Sequence, residues 1–412
     1  MTRVLAYTSP ARGHLFPLTP ILDELRSRGH DVVVRTLASE VGLMESRGFA
    51  AGAIDPAIEA IEHDDWKERN PRAALRRAVR TFCARAAHDA PDLTRAIEEE
   101  RPDAVIVDVQ SWGALAAAEA WGGPWASFCP YPMPLPSRDA PPFGPGLPPA
   151  RGPLGRLRDR VLRPVVFGAV EKILVAQLNE VRSGLGLGPI DATTMFTRPP
   201  VLLYMTAEPF EYPRRDWPPN VRLVGPCAWD PPADPPAWLD EVSRPLVLVT
   251  TSSEFQDDGR LVRTALAALA DEPVEVVATL PAAAVEGVGV PANARVLPFV
   301  PHTPVLERAA CAITHGGMGA TQKALAHGVP VCAVPFGRDQ LEVARRVEVC
   351  GAGTRLPSRR LSADRLRAAV REAMARGAGA ERIADAFARA GGPAAAAGAV
   401  EGLLAGRRHA AA

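Results

Sequence analysis

The chain has 412 residues, 47 Lys+Arg against 47 Asp+Glu, and a pI near 7.1. So flat a balance disfavours a protein held on nucleic acid by bulk charge, which needs a strongly basic face. A mix of 47% apolar and 23% charged residues excludes wholesale disorder, and at ~150 residues per domain the length predicts two or three domains.

The first stretch alternates buried strands with amphipathic helices. Val4–Thr8 is a predicted strand and Leu15–Arg28 a helix, with Leu18, Ile21, Leu22 and Leu25 at helical spacing. Strands follow at Asp31–Thr36, Ala104–Val107 and Pro124–Phe128, with a helix at Trp112–Trp121. Ten prolines in the 24 residues Pro130–Pro153 forbid regular structure there and predict a functional loop. A helix-rich stretch, Leu154–Leu185, comes next. Nine prolines in the 28 residues Pro209–Pro236 predict the domain connection.

The alternation then restarts. Strands are predicted at Leu246–Thr250, Val274–Thr279, Ala310–Thr314 and Val331–Val334. Helices are predicted at Gly259–Ala270, Gly319–His327, Gln340–Val349 and Ser362–Ala375, with Ala-rich helices to Leu404. Such repetition implies an α/β protein with two doubly wound, Rossmann-like halves and a ligand cleft between them. The expected division is 1–215, a linker at 216–240, a second half at 241–385, and a C-terminal helix at 386–412 that packs back toward the first half. The six cysteines (83, 129, 227, 311, 332 and 350) form no C-x-x-C pair and are expected to be buried thiols. The N-terminal MTRVLAYTSP is too short and polar for a leader, and no apolar run approaches the ~20 residues of a bilayer span. The expectation is a cytoplasmic protein.

The sharpest motif is Thr314-His315-Gly316-Gly317-Met318-Gly319-Ala320-Thr321, which follows a strand and opens a helix. Glycines permit close backbone approach, and the unpaired N–H groups of a helix N-terminus attract an anion. Neither G-x-x-x-x-G-K-[ST] nor, after the first strand, G-x-G-x-x-G is present, which disfavours a P-loop and a dinucleotide fold. No D-x-D metal motif occurs; Asp64-Asp65 and Asp257-Asp258 are expected to be solvated turns, and no metal ligands are assigned.

Phe299-Val300-Pro301-His302, the His315–Thr321 motif, Gly328-Val329-Pro330, Pro335-Phe336 and Asp339-Gln340 occur in that order within about 42 residues. This run resembles the donor-binding signature of the family 1 nucleotide-sugar-dependent glycosyltransferases, which have the GT-B fold. Gly13-His14-Leu15-Phe16-Pro17 resembles the acceptor-side motif of that family, and Val224-Gly225-Pro226 its interdomain connection. The nearest type is the bacterial enzymes acting on natural products and other small lipophilic acceptors.

The resemblance implies that Phe299 stacks on the donor base and that Val300 pairs with the base through its backbone. It implies a diphosphate cradle from His315, Gly316, Gly317, Met318, Gly319 and Thr321, with further contacts from Ser252 and Ser253. Asp339 and Gln340 would hold the donor sugar hydroxyls; Asp339 alone is equally a helix N-cap. Two positions depart from the pattern: Ala320 lacks the usual hydroxyl, and Lys323 stands where plant members carry a Glu that accepts ribose hydroxyls. A Lys cannot accept them, which favours a dTDP donor over UDP.

Transfer to a hydroxyl needs a base. Of the eight histidines (14, 30, 63, 88, 302, 315, 327 and 409), only His14 sits at the carboxyl end of the first strand away from other duties, and it matches the base of the family. Asp108, at the end of another strand, matches the acid that orients that base; the alternative is an N-cap. Gly13, Phe16, Trp66, Phe82, Trp112, Tyr131, Met133 and Phe143 either line an apolar acceptor pocket or pack the core. Together these imply an inverting, metal-independent glycosyltransferase. It would use a dTDP- or UDP-sugar and a small-molecule acceptor, with no further cofactor, as a monomer or homodimer. A non-catalytic auxiliary protein and a nucleotide-sugar 2-epimerase are the alternatives on the same fold.

Overall fold

The computed structural model describes residues 2–68, 70–253, 258–281 and 289–410. Asp257 therefore lies outside the described residues.

Two all-parallel sheets organise the chain. The first contains β1 (Arg3–Tyr7), β2 (Asp31–Thr36), β3 (Ala50–Ala53), β4 (Ala104–Asp108), β5 (Trp125–Cys129), β6 (Val201–Tyr204) and β7 (Val221–Leu223), in the order β3-β2-β1-β4-β5-β6-β7. Its central strands are continuous apolar runs because helices cover both faces; Val4 to Tyr7 and Val105 to Val107 are wholly buried. The second sheet contains β8 (Leu246–Thr250), β9 (Glu275–Thr279), β10 (Ala294–Leu297), β11 (Ala309–Thr314), β12 (Val331–Ala333) and β13 (Gly353–Arg355), in the order β10-β9-β8-β11-β12-β13. Both are doubly wound, so the GT-B-type architecture of two Rossmann-like halves holds.

In each sheet the strand order reverses once, between β1 and β4 and again between β8 and β11. Loops leaving the two strands at such a point run to opposite faces and open a crevice at the carboxyl ends. His14 follows β1 and Asp108 ends β4, while Ser252 follows β8 and His315 follows β11.

The structure corrects several sequence expectations. The first helix spans Arg12–Ser27, not Leu15–Arg28, so His14 stands in its first turn rather than in a loop. Gly13, a weak helix former, suggests a later start; Pro17 and Pro20 lie within the helix, as the expected span also has them. The 30-residue helix Pro71–Glu100 is not foreseen: its buried residues mix Val79, Leu93 and Ile97 with Arg85, Asp89 and Asp92, which blurs the contrast with the exposed face, and Pro91 suggests a break. β3, β6, β7, β10 and β13 have three or four residues each, too few for a periodic signal. β7 falls inside the second Pro-rich tract as the edge strand of the first sheet.

The helix Gly392–Ala410 packs on the N-terminal half. Ala396, Ala397 and Val400 share a buried cluster with Leu18, Ile21 and Leu22 of the helix Arg12–Ser27. Glu401 pairs with Arg28 at 2.8 Å and His30 at 3.1 Å. All six cysteines are free, and burial is the main reason their thiols lie above the usual range, Cys83 at about 11 and Cys227 at about 12. Among the described residues no helix is long and apolar enough to cross a membrane.

Candidate active site

At the first crevice, His14 Nδ1 lies 2.9 Å from the Asp108 carboxylate. Asp108 is wholly buried. Its carboxylate also accepts hydrogen bonds from the Ser9 N–H (3.0 Å), the Ser9 hydroxyl (2.6 Å) and the Gln110 N–H (2.9 Å). Burial alone would raise this carboxyl, but His14 and these donors together hold it below its usual value. Asp108 is thus a histidine partner and not a side-chain cap of the helix Trp112–Trp121, whose N-cap makes no such bond. A carboxylate at Nδ1 selects the tautomer with Nδ1–H, which puts the basic lone pair on Nε2.

The second crevice holds the glycine motif. Gly316 has φ of +86°, a backbone state that favours glycine, and its N–H donates to the Thr314 hydroxyl at 3.1 Å. At Gly317 a Cβ would stand 2.3 Å from His315 Nε2, so only glycine leaves the imidazole in place. His315 is 7% exposed, and its Nδ1 is buried with no partner among the described residues. Burial is the largest influence and lowers its pKa, against the opposing pull of Asp258 and the Thr250 backbone. The helix Met318–Ala326 starts here without a side-chain cap, and its first N–H groups have no i−4 acceptor.

Two members of the expected cradle are used otherwise. Thr321 is wholly buried with its hydroxyl 3.1 Å from Thr314 Oγ1, and the Met318 side chain lies in the core, so that residue can offer only its backbone. Ser252 donates its N–H to Asp258 at 2.7 Å and is buried; Ser253 is exposed. Phe299 is 48% exposed, an open aromatic face, and Val300 is buried, leaving its backbone. Gln340 accepts the N–H groups of Phe336 (2.8 Å) and Gly337 (3.2 Å) on Oε1. Asp339 is half-buried and holds the N-cap position of the helix Gln340–Val349, as the alternative reading has it, but its side chain makes no cap bond. Burial pushes its carboxyl up to about 6, while Arg338 and then His14 pull the other way.

Lys323 does not lie free beside a ribose. It is held by the Trp229 carbonyl and by Asp230 at 2.6 Å, and Asp230 also accepts the Thr303 N–H (2.9 Å) and hydroxyl (2.6 Å). The inference drawn from Lys323 against UDP loses its geometric basis. His302 is 3.2 Å from the Thr279 hydroxyl, and burial drops it to about 4.

On the acceptor side, the Tyr131 ring lies 5.7 Å from His14, and Phe16 packs on Trp229 at 5.1 Å. Phe82 lies between His63 (5.1 Å) and Trp112 (5.2 Å), with Trp112 only 7% exposed. Trp66 is 38% exposed under Lys67, and Phe143 is half-buried. Met133 is 1% exposed and belongs to the core, which corrects its assignment to the pocket. Asp64 and Asp65 are not solvated turns: Asp64 binds Arg77 at 2.5 Å, and Asp65, 5% exposed, binds Arg338 at 2.6 Å. The Arg338 partner of Asp65 is 273 positions away, so local sequence gives no sign of it. The first Pro-rich loop likewise rests on the second half. The Gly144 and Gly146 N–H groups donate to buried Glu342 at 2.8 Å each, and Arg345 donates to the Gly146 carbonyl at 2.8 Å.

The site pairs a histidine with a buried carboxylate in one half and sets a glycine-rich helix start in the other. Residues 263–403 match the model described as "Erythromycin biosynthesis protein CIII-like, C-terminal domain". The chain is 36% identical over 387 residues to a 4'-demethylrebeccamycin synthase from Lentzea aerocolonigenes, covering 90% of this chain and 91% of that one. It is 28% identical to a demethyllactenocin mycarosyltransferase from Streptomyces fradiae, covering 98% and 87%. Among solved structures, the glycosyltransferase of kitacinnamycin superposes with a TM-score of 0.72 at 25% identity, covering 98% and 99%. CalG4, the calicheamicin glycosyltransferase, gives 0.73 at 22%, covering 98% of each chain, a likeness of fold. The chain belongs to the family 1 glycosyltransferases of the macrolide and natural-product type. It is a glycosyltransferase enzyme.

Proposed function

We propose that this enzyme moves a sugar from a dTDP- or UDP-sugar to a hydroxyl of a small lipophilic natural product, with inversion. The observation that carries the reading is the His14–Asp108 pair at the switch point of the first sheet, with the glycine-rich helix start at the switch point of the second. The residues up to about 215 would bind the acceptor and 241–385 the donor.

In this reading the acceptor hydroxyl gives its proton to His14 Nε2 as its oxygen attacks the anomeric carbon. The bond from that carbon to the diphosphate oxygen breaks, and the electron pair leaves with the diphosphate. Asp108 stabilises the imidazolium that forms. His315 and the N–H groups at 317–319 would take up the charge on the leaving group, the role a metal plays in other transferases. Phe299 would stack on the base, and Asp339 with Gln340 would hold the sugar.

The test is a donor panel with phenolic and macrolactone acceptors, read by mass spectrometry, with product configuration by NMR and parallel reactions in chelator. A retained anomeric configuration, or loss of turnover in chelator restored only by a divalent cation, would overturn the mechanism. Full turnover by His14→Ala would remove the base assignment.

A further inference from the structure

Arg338 immediately precedes Asp339 and has φ of +51°, a region that a residue with a side chain occupies at a cost. Such strain persists where surrounding contacts over-determine the backbone. The contact here crosses between the halves. Arg338 Nη2 and Nε lie 2.6 and 3.1 Å from Asp65 Oδ1, and Nε lies 3.2 Å from Oδ2. Nη2 also lies 3.4 Å from the His63 carbonyl oxygen. Asp65 is nearly buried, and the His63 ring beside it packs on Phe82, which packs on Trp112.

One end of this pair is therefore seated in the aromatic cluster of the first half. The other end is one peptide bond from the acid expected to hold the donor sugar. A guanidinium fork gripping a carboxylate at two atoms fixes orientation as well as distance, which a lysine ammonium does not. Gln340 Oε1 ties the same turn from the opposite side through Phe336 and Gly337. Asp339 thus sits in a turn pinned at both ends.

We propose that the Arg338–Asp65 pair is a clasp between the two halves that positions Asp339 for the donor sugar, and so governs recognition of the sugar without affecting the nucleotide. The proposal rests on residues 299–340 being the donor site. Arg338 and Asp65 act through Asp339 as positioning residues. A brace serving stability alone would not distinguish the sugar from the nucleotide.

Calorimetry on the full chain tests this with dTDP, UDP, dTDP-glucose and UDP-glucose as probes. The variants are Asp65→Asn, Arg338→Lys and Arg338→Gly; Asp65→Asn leaves a neutral amide in the buried position, glycine at 338 relieves the strained φ against the cost of an unpaired Asp65, and thermal melting establishes that each is folded. For each, the Kd of the nucleotide-sugar relative to its parent diphosphate is expected to rise about 10-fold, with the diphosphate Kd unchanged within about twofold, because a displaced positioning group costs the contacts it aligned. An unchanged ratio in all three variants, or equal weakening of both probes, would overturn the clasp. Failure of the unaltered protein to bind any of the four probes would overturn the donor-site reading, and the clasp with it.

Discussion

His14 Nδ1 stands 2.9 Å from a carboxylate, that of Asp108, which is wholly buried and takes three further hydrogen bonds from Ser9 and Gln110. That network fixes the ring and keeps its partner ionised. His14→Ala is expected to lower turnover by about 10²–10⁴-fold, the ordinary worth of a positioned base. Asp108→Asn is expected to do nearly as much, since an amide can present the wrong hydrogen-bonding group to Nδ1 and reverse the tautomer. Steady-state rates of both variants at saturating donor check this; a loss confined to KM would contradict it.

Asp339 carries the opposite perturbation. Its folded pKa is raised to about 6, so the folded state holds a proton that the unfolded chain releases near 4. Stability therefore falls as pH rises through this interval and stays lower above it. Asp339→Asn is expected to raise the free energy of unfolding at pH 8 by about 1–3 kcal/mol, and to change it little at pH 4. Donor-sugar binding should weaken in the same variant, which calorimetry reads separately.

Glu211 and Arg346 form a buried pair between the halves, at 2.9 and 3.1 Å, joined by Arg214 at 3.0 Å and by the Tyr204 hydroxyl. Burial opposes the charge on Glu211, but Arg346 and Arg214 outweigh it and hold the carboxyl at about 2. This stabilisation is complete above the unfolded value near 4.5 and fades as pH falls toward 2. Arg346→Met leaves that carboxylate short of a partner and is expected to cost about 3–5 kcal/mol at pH 7. Urea unfolding at pH 7 measures it, and a cost below about 1 kcal/mol would refute the assignment.

Gly317→Ala places a methyl 2.3 Å from the His315 ring and must displace it. The expected result is at least a 10-fold loss of affinity for dTDP or UDP, of the order of one lost charge-assisted hydrogen bond, with Tm nearly preserved because the residue is only half-buried. Equal affinity in the variant would remove His315 from the cradle.

The strand–helix alternation, the two halves and the glycine-rich turn after β11 are legible in local sequence. Val4–Tyr7, Ala104–Asp108 and Thr314–Gly319 are local signals, carried by apolar runs and glycines whose meaning needs no distant partner. Tertiary structure decided what the remaining side chains do. Thr321 matches the cradle motif yet binds Thr314; Lys323 faces Asp230 instead of a ribose; Met133 fills the core. Asp65 and Arg338 stand 273 positions apart, and no spacing rule spans such a separation. The physical reason is that periodicity and turn chemistry act over a few residues, whereas the partner of a charge is chosen by whichever surfaces the two halves bring together across the cleft.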